Sequence, residues 1–202
     1  MWALVESGNI SKIYNFPKQL TIGDVNYPSN IFTMWTSSEL EAIGIYEVVI
    51  DNSNLKDPIY YDNTNMTYAF SGGTVIGSYG AATAKPLDNV LYTAEDEAAN
   101  ANHVEGTVKQ YGVRPTKIDE VNGEAYSLLQ PSDWMVVRNA ESSKAIPSNW
   151  LDYRVAVRSA VTSMKSKINA VANVDALAAL YVYNDATPPV RPLGEFPDAP
   201  TS

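Results

Sequence analysis

The sequence lacks cysteine altogether and contains a single histidine, His103, in 202 residues. Without cysteine the chain has no disulfide framework, no thiol nucleophile and no thiolate metal site. This composition fits synthesis in a reducing cytoplasm. His103 lies in a polar stretch and has no metal-ligating or catalytic partner at a fixed spacing. We therefore interpret it as a surface histidine.

Long apolar runs and an excess of basic charge are also missing. No apolar stretch is long enough to cross a bilayer, and the first residues predict no secretory signal peptide. The chain has 14 basic and 23 acidic residues and a formal net charge of −9. Nucleic acid binding depends on Lys and Arg that neutralise phosphates, and anionic membranes repel an acidic protein. We therefore expect neither nucleic acid nor a membrane as a partner.

Residues 1–90 predict a β-rich domain. Short apolar runs alternate with turn signals that contain Gly, Asn and Pro. One short helix is predicted after Thr36, because Glu39 completes the spacing of a capping box and Gly44 can end the helix. The segments around Tyr68 and Val75 predict a hairpin that turns through the glycines at 72 and 73.

The second half of the chain predicts helices. Residues 91–113 are polar and lack an apolar stripe, so we predict a polar linker there. Residues 114–183 change to a helical period and predict a helical hairpin, with Ser148 as one helix cap and Asn173 as another. Residues 184–202 are proline-rich and predict an extended tail. The expected fold class is α+β, with a small antiparallel β domain and one short helix before the hairpin.

The residues that could carry chemistry form no recognisable site. Acidic clusters near residues 51–57, 60–65 and 95–97 lack the spacing of a calcium-binding loop. Sequence alone marks no opposed pair of carboxylates for glycoside hydrolysis. The glycines at 72–80 do not follow the dinucleotide-binding pattern, and no serine lies in a nucleophile elbow. We predict no catalytic, cofactor-binding or metal-binding residue, and therefore a non-enzymatic protein.

Aromatic residues are abundant, with thirteen tyrosines and four tryptophans. Rigid aromatic rings with a polar tip suit protein-binding and sugar-binding surfaces. The alternative is that the tyrosines of the β-rich half pack a small sheet and leave their hydroxyls at the rim. The tyrosines considered as partner-binding residues are Tyr60, Tyr61, Tyr68 and Tyr79.

The segment 128–158 allows two interpretations. Pro131, Ser132 and Asp133 would end one helix, and Trp134 would turn inward as an anchor. In the first interpretation tryptophans seal the corner of a helical hairpin, while arginines bind carboxylates or carbonyls. In the second the corner is an arginine-lined docking site. The partner-binding residues predicted here are Trp134, Trp150, Arg154 and Arg158.

The stretches "LLQPSDWMVVR" and "IPSNWLDYRVAVR" resemble the C-terminal part of phage tail fibre assembly proteins and related tail-associated proteins. The "MWTSSELEAIGIYEV" segment and the proline-rich C-terminus are similar to the same group, whereas residues 95–112 have no counterpart there. The matching residues of the two stretches are Leu128, Leu129, Ser132, Asp133, Trp134, Trp150, Tyr153, Arg154 and Arg158.

The resemblance implies a non-enzymatic phage tail protein that binds a tail fibre or another tail protein. Such a protein assists folding or trimerisation of the receptor-binding fibre, or remains with it in the virion. Its expected location is the host cytoplasm during assembly, or the virion tail. Association with a trimeric fibre and a homo-oligomer are both compatible with this role. The alternatives are a permanent structural tail component, a module that binds host glycans, and a glycan hydrolase.

Overall fold

The computed structural model describes residues 1–200 and confirms the α+β class. A region of strands comes first, and a region of helices follows. The chain divides into two compact units, Met1–Thr83 and a second that begins at Ala84. The boundary therefore falls earlier than the predicted one after residue 90.

Up to residue 84 the chain forms short strands and two short helices. The strands are β1 (Trp2–Glu6), β2 (Asn9–Tyr14), β3 (Leu20–Ile22), β4 (Val25–Tyr27), β5 (Ile45–Asp51), β6 (Tyr61–Asp62), β7 (Met66–Ser71), β8 (Thr74–Tyr79) and β9 (Thr83–Ala84). The helices are α1 (Ile31–Met34) and α2 (Ser37–Ala42). Five strands form the main sheet in the order β2-β1-β5-β8-β7, while β3 pairs with β4 and β6 with β9.

The main sheet is mixed, whereas the sequence predicted an antiparallel one. Strand β5 runs parallel to β8, with Val48 opposite Val75, and the other pairs are antiparallel. The predicted hairpin of β7 and β8 is present, and it turns through Gly72 and Gly73, both with positive φ. A parallel pair needs a crossover longer than a hairpin turn, and the chain between β5 and β8 supplies it. The edge strands β2 and β7 approach each other, so the sheet curls.

The two faces of the sheet are covered differently. The inner face of the curl holds the buried residues Ala3, Val48 and Val75 with partly buried apolar neighbours. On the opposite face, helices α1 and α2 and the β3–β4 hairpin cover the part formed by β2, β1 and the start of β5. That second core contains Leu4, Tyr14, Leu20, Ile31, Phe32, Leu40 and Ile45.

The predicted capping box at the start of α2 is present. The Thr36 hydroxyl accepts a hydrogen bond from the Glu39 backbone N–H, and the Glu39 carboxylate accepts one from the Thr36 backbone N–H. Gly44 ends the helix with φ of +81°. A Cβ at Gly44 would lie 2.7 Å from the backbone oxygen of Val5. Both the left-handed backbone and the close approach therefore require glycine at this position.

The second unit begins with a small ordered region. Its elements are β10 (Val90–Leu91), α3 (Ala94–Ala99), β11 (Val108–Gln110), α4 (Val113–Leu129), a 3-10 turn (Gln130–Ser132), α5 (Asp133–Ser142), α6 (Ser148–Ala170) and α7 (Val174–Ala179). Residues 91–113 are therefore not a structureless linker, since β10 pairs with β11 and α3 lies between them. A capping box of Thr93 and Asp96 begins α3, and Lys109 of β11 bonds to Asp96, so polar contacts rather than an apolar stripe hold this short helix.

The predicted helical hairpin consists of α4 and α6. The two helices pack antiparallel, with Ala125, Tyr153 and Val157 buried between them. Arg114, at the start of α4, donates to the carbonyl oxygens of residues that end α6, including Val171 at 3.0 Å. Ser148 is the first residue of α6 and makes no capping hydrogen bond, unlike the prediction. The Asn173 side chain caps α7 as predicted, by accepting from the Ala176 N–H.

Residues 184–200 form no helix or strand, yet they pack against the helices. Leu193 is buried, and Phe196 lies against the core between α4 and α6. The Lys167 ammonium donates to the carbonyl oxygens of Pro192 and Leu193. An extended tail is therefore not confirmed, because proline prevents regular structure but does not prevent packing.

Replacing Gly44 by alanine should lower the free energy of unfolding by about 2 kcal/mol, because the new Cβ adds a backbone clash to a strained φ. Gly8 is the matched control, since its φ is +80° but no atom lies within 4 Å of its would-be Cβ. Gly8→Ala should lower the free energy of unfolding by only about 1 kcal/mol. Urea denaturation of the two variants measures the difference. Equal losses would contradict the close approach at Gly44.

The Asp96 carboxyl group should have an unusually low pKa. A hydrogen bond from Lys109, followed by one from the Thr93 backbone, lowers the pKa of Asp96 to about 2. Because the folded pKa lies below the ordinary value, the stabilisation is complete above about pH 4 and is lost as pH falls towards 2. An NMR titration of the carboxyl carbon measures this pKa. In Lys109→Met the pKa should rise towards its ordinary value, and an unchanged pKa would contradict the assigned cause.

Candidate functional site

The described residues offer no metal centre. Within residues 1–200 no three His, Asp or Glu side chains come together in a way that could hold an ion. The His103 ring is partly buried rather than a free surface group, and it stacks on Tyr92 with ring centroids 4.2 Å apart. Helices of bilayer-spanning length and hydropathy are likewise missing from the described part of the chain.

An open groove of about 540 Å³ lies after the end of α7. Its lining residues are Ala179, Val182, Tyr183, Asn184, Val190, Arg191 and Pro192. None of them is a carboxylate, so the groove does not present the opposed acidic pair of a glycosidase. The Arg191 guanidinium is engaged by Glu195 at 2.8 Å. A hydrogen bond to Glu195 also raises the pKa of Tyr183. The polar groups here therefore hold the chain's own C-terminal segment.

The four predicted tyrosines do not form an exposed row. Tyr60 is buried and Tyr61 is half-buried on β6. Tyr68 and Tyr79 share the inner face of the main sheet, where Tyr68 packs against the core formed by Ala3, Val48 and Val75. This arrangement matches the alternative in which tyrosines pack a small sheet.

A different surface of the sheet is open, and sequence reasoning missed it. Val49, Ile76 and Ala69 lie directly opposite one another across β5, β8 and β7. All three are exposed, Val49 by 55% and Ile76 by 42%. Glu47 and Asp51 stand on the same face of β5, two residues to either side of Val49. We call Val49, Ile76 and Ala69 the outer row. The segment "IYEVVID" reads as a buried strand because Val48 and Val49 are both apolar, so the exposed member of the pair is not evident.

Arg154 organises the corner between α4, α5 and α6. Its side chain is 6% exposed. Its guanidinium donates to the Leu129 carbonyl oxygen at 3.0 Å, to the Ser132 hydroxyl, and to the Asp133 carboxylate at 2.8 Å. One cation thus binds the last carbonyl of α4, the 3-10 turn and the first residue of α5. These contacts correspond to the interpretation in which arginines bind carboxylates and carbonyls.

The two tryptophans of the corner have different environments. Trp150 is partly buried against the α4–α6 core and meets the Tyr153 ring edge-on, with centroids 5.8 Å apart. Trp134 does not turn inward as predicted, because it is 54% exposed. The Arg138 guanidinium lies over the Trp134 ring, 4.6 Å from its centroid. Ser132 and Arg154 occupy the buried side of the corner, which leaves Trp134 on the solvent side.

Helix α5 has no buried residue. Its exposed apolar side chains are Trp134, Val136 and Val137, and Val137 is 56% exposed. Leu151 and Val155 are exposed one turn apart on α6, on either side of Arg154 in the sequence. We call these five residues the corner surface. A helix of ten residues is too short to be stable alone in water, and here tertiary packing contributes little to it. Such a helix is typical of a segment that packs against a partner.

The cations beside the corner surface have no acidic partner. Among residues 1–200, neither Arg138 nor Arg158 lies within ion-pair distance of a carboxylate. Arg158 is exposed and donates only to the Arg154 carbonyl oxygen. Residues 133–158, which include α5 and the start of α6, contain four basic and three acidic residues, and Arg154 is paired with Asp133, so the unpaired positive charge beside the corner surface is that of Arg138 and Arg158. The corner surface therefore combines exposed apolar side chains with unpaired positive charge.

Comparison with known proteins assigns no class to this arrangement. The sequence matches no family model and no curated protein, and the fold matches no solved structure. The chemistry of the surfaces is therefore the basis for a functional proposal.

Replacing Arg154 by methionine should lower the free energy of unfolding by about 2–4 kcal/mol, because the buried Ser132 hydroxyl loses its donor and the Asp133 carboxylate loses its ion-pair partner. Arg158→Met is the matched control one turn away, and it should change the free energy by no more than about 0.5 kcal/mol because Arg158 is exposed. Chemical denaturation measures both. A similar loss in the two variants would show that Arg154 has no special role in the corner.

Proposed function

We propose that this chain is a non-enzymatic phage tail protein that binds a tail fibre protein. It assists assembly of the receptor-binding fibre, in the host cytoplasm, or remains with the fibre in the virion. The observation that carries the proposal is helix α5, which has no buried residue and exposes Trp134 and Val137. Buried aromatic anchors dominate the energetics of protein interfaces, and an unpartnered Trp at a fixed position suits that role.

The geometry of the corner supports the family resemblance in a specific way. The two stretches that carry the resemblance are joined by hydrogen bonds. Tyr153 donates to the Leu128 carbonyl oxygen at 3.5 Å. Arg154 donates to Leu129, Ser132 and Asp133. These residues thus have a structural role in the corner of this chain. Trp134 and Arg158 remain exposed. We infer that the first group shapes the corner and that the exposed pair contacts the fibre.

The proposed mechanism is binding without bond making or breaking. The rigid hairpin of α4 and α6 presents α5, and the fibre subunit buries the apolar side chains of the corner surface. Burial of this apolar area supplies the affinity, because each Å² removed from water contributes about 25 cal/mol. The unpaired Arg138 and Arg158 favour fibre segments that carry carboxylates. A fibre chain held in this way is protected from aggregation before it trimerises.

A glycan-binding module is less well supported. Sugar-binding surfaces usually carry exposed aromatic rings. The outer row of the sheet is aliphatic, however, and the four predicted tyrosines are buried or half-buried. A permanent tail component uses the same binding surface as an assembly factor. Mass spectrometry of purified particles separates the two, because only a permanent component is present in stoichiometric amount.

Replacing Trp134 by alanine should weaken fibre binding about 10- to 100-fold, since loss of an aromatic anchor typically costs about 2 kcal/mol or more. The measurement is titration of a purified tail fibre protein with wild-type and variant protein. Tyr126→Ala is the matched control, because Tyr126 is an exposed aromatic on α4 that lies outside the corner surface. It should bind like the wild type.

Co-expression tests the role in assembly. Fibre should reach the trimeric state in lower yield without the chain, and in similarly low yield with Trp134→Ala. Fibre that folds and trimerises equally well without the chain would refute the assembly role. Wild-type binding by the Trp134→Ala variant would refute the assignment of α5 as the contact.

A further inference from the structure

Helix α5 has very little packing that would hold it in the helical state. None of its ten residues is buried, and only Asp133, Met135 and Arg138 are partly covered. Among the helices and strands of residues 1–200, only the 3-10 turn that precedes α5 packs closely against it. Isolated helices shorter than about 12–15 residues are marginal in water. The stability of α5 therefore depends on how its two ends are held.

The N-terminal end of α5 is held firmly. Asp133, its first residue, accepts a hydrogen bond from the buried Arg154 guanidinium at 2.8 Å. A carboxylate in the first helical turn also interacts favourably with the helix dipole. The neighbouring Ser132 is buried and accepts a hydrogen bond from the same guanidinium. These contacts keep the start of the helix in place.

The C-terminal end of α5 is held weakly. It is capped by Ser143, whose φ of +55° is a left-handed conformation that a side chain strains. The Asn139 side chain donates to the Lys144 carbonyl oxygen, but this bond is exposed to water. The contact of the Arg138 guanidinium with the Trp134 ring also lies at the surface, where such contacts are weak. The last helical turn can therefore open at little cost in free energy.

We propose that α5 opens and closes as a local unit in the free chain, starting from its C-terminal end, while α4 and α6 stay folded. Local opening of this kind occurs where few apolar contacts hold a segment. Arg154 fixes the point from which the helix opens, because it holds Asp133. The corner surface is complete only while α5 is closed. A partner that buries this surface must therefore keep α5 closed, and this requirement lowers the apparent affinity of the partner.

The experiment is amide hydrogen exchange of the purified full-length protein. Residues 137–143 should exchange no more than about tenfold more slowly than an unstructured chain, whereas the middle of α6 should be protected at least about a thousandfold. Residues 155–161 of α6 are the matched control. Val155 is 55% exposed, as Val137 is 56% exposed, but α6 also buries Val157 against α4. Protection of α5 equal to that of this control would overturn the proposal.

Replacing Ser143 by glycine tests whether the opening is local. Glycine relieves the strain of the left-handed position, so exchange of residues 137–143 should slow by up to about fivefold, the factor that about 1 kcal/mol supplies. Exchange of α4 and α6 should not change. Ser142→Gly, one residue earlier in helical backbone, is the matched control and should speed the exchange of α5. Equal changes in α4, α5 and α6 would show that α5 opens only with the whole unit.

Replacing Arg154 by methionine tests the fixed end. Exchange at residues 132–135 should then become fast relative to that of α6, because Asp133 is no longer held. Arg158→Met, one turn along α6, should leave these residues unchanged. If residues 132–135 keep their protection in Arg154→Met, Arg154 does not fix the point of opening. The ratio to α6 removes any general loss of stability from the comparison.

A last measurement rests on the function proposed above. Binding of a purified tail fibre protein should slow the exchange of residues 137–143 more than about tenfold, because the bound partner keeps α5 closed. A fibre that binds without slowing this exchange would overturn the requirement that a partner closes α5. The opening of α5 in the free chain is decided by the earlier measurements alone, so the two failures are distinguishable.

Discussion

The buried guanidinium of Arg154 is the interaction on which the second unit's exposed surface depends. A charge removed from water is costly unless each donor finds an acceptor, so Arg154 fixes the relative positions of the groups around it. Those groups belong to the end of α4, the 3-10 turn and the start of α5. Because α5 buries none of its own residues, this polar connection rather than apolar packing sets its position. The exposure of Trp134 is a consequence of that arrangement.

Several features set by nearby residues could be predicted from the sequence, although the local capping box of α3 was missed and the predicted Ser148 cap makes no hydrogen bond. The capping box of Thr36 and Glu39, the Gly72–Gly73 turn and the Asn173 cap are each formed within a few residues and are present in the structure. Features set by distant residues could not. The parallel pairing of β5 with β8, the curl that brings β2 near β7, and the outward direction of Trp134 depend on tertiary contacts. Trp134 was expected inside because tryptophan is usually well buried, but Arg154 already occupies that side of the corner.

The outer row shows why the open surface escaped the sequence analysis. The two-residue period correctly places Tyr68 on one face of the sheet and Ala69 on the other. Apolar residues line both faces, since Val48 and Val49 follow one another in β5. Only the curl of the sheet and the positions of α1, α2 and the β3–β4 hairpin decide which apolar residues are covered. Two of the predicted binding tyrosines, Tyr68 and Tyr79, are on the inner face for the same reason.

The net charge of −9 does not by itself describe how the surfaces of this chain interact, because the charges are unevenly distributed. Taken as a single number, it describes molecules that repel one another. Beyond the screening distance of about 8 Å at physiological salt, however, that repulsion is largely lost, and the local charges decide which surfaces can meet. Residues 1–83 carry eight acidic and three basic residues, whereas Arg138 and Arg158 beside the corner surface have no acidic partner within residues 1–200. At contact, the corner surface therefore attracts carboxylates through Arg138 and Arg158 although the chain as a whole is acidic, and burial of its exposed apolar side chains adds to the affinity of such a contact.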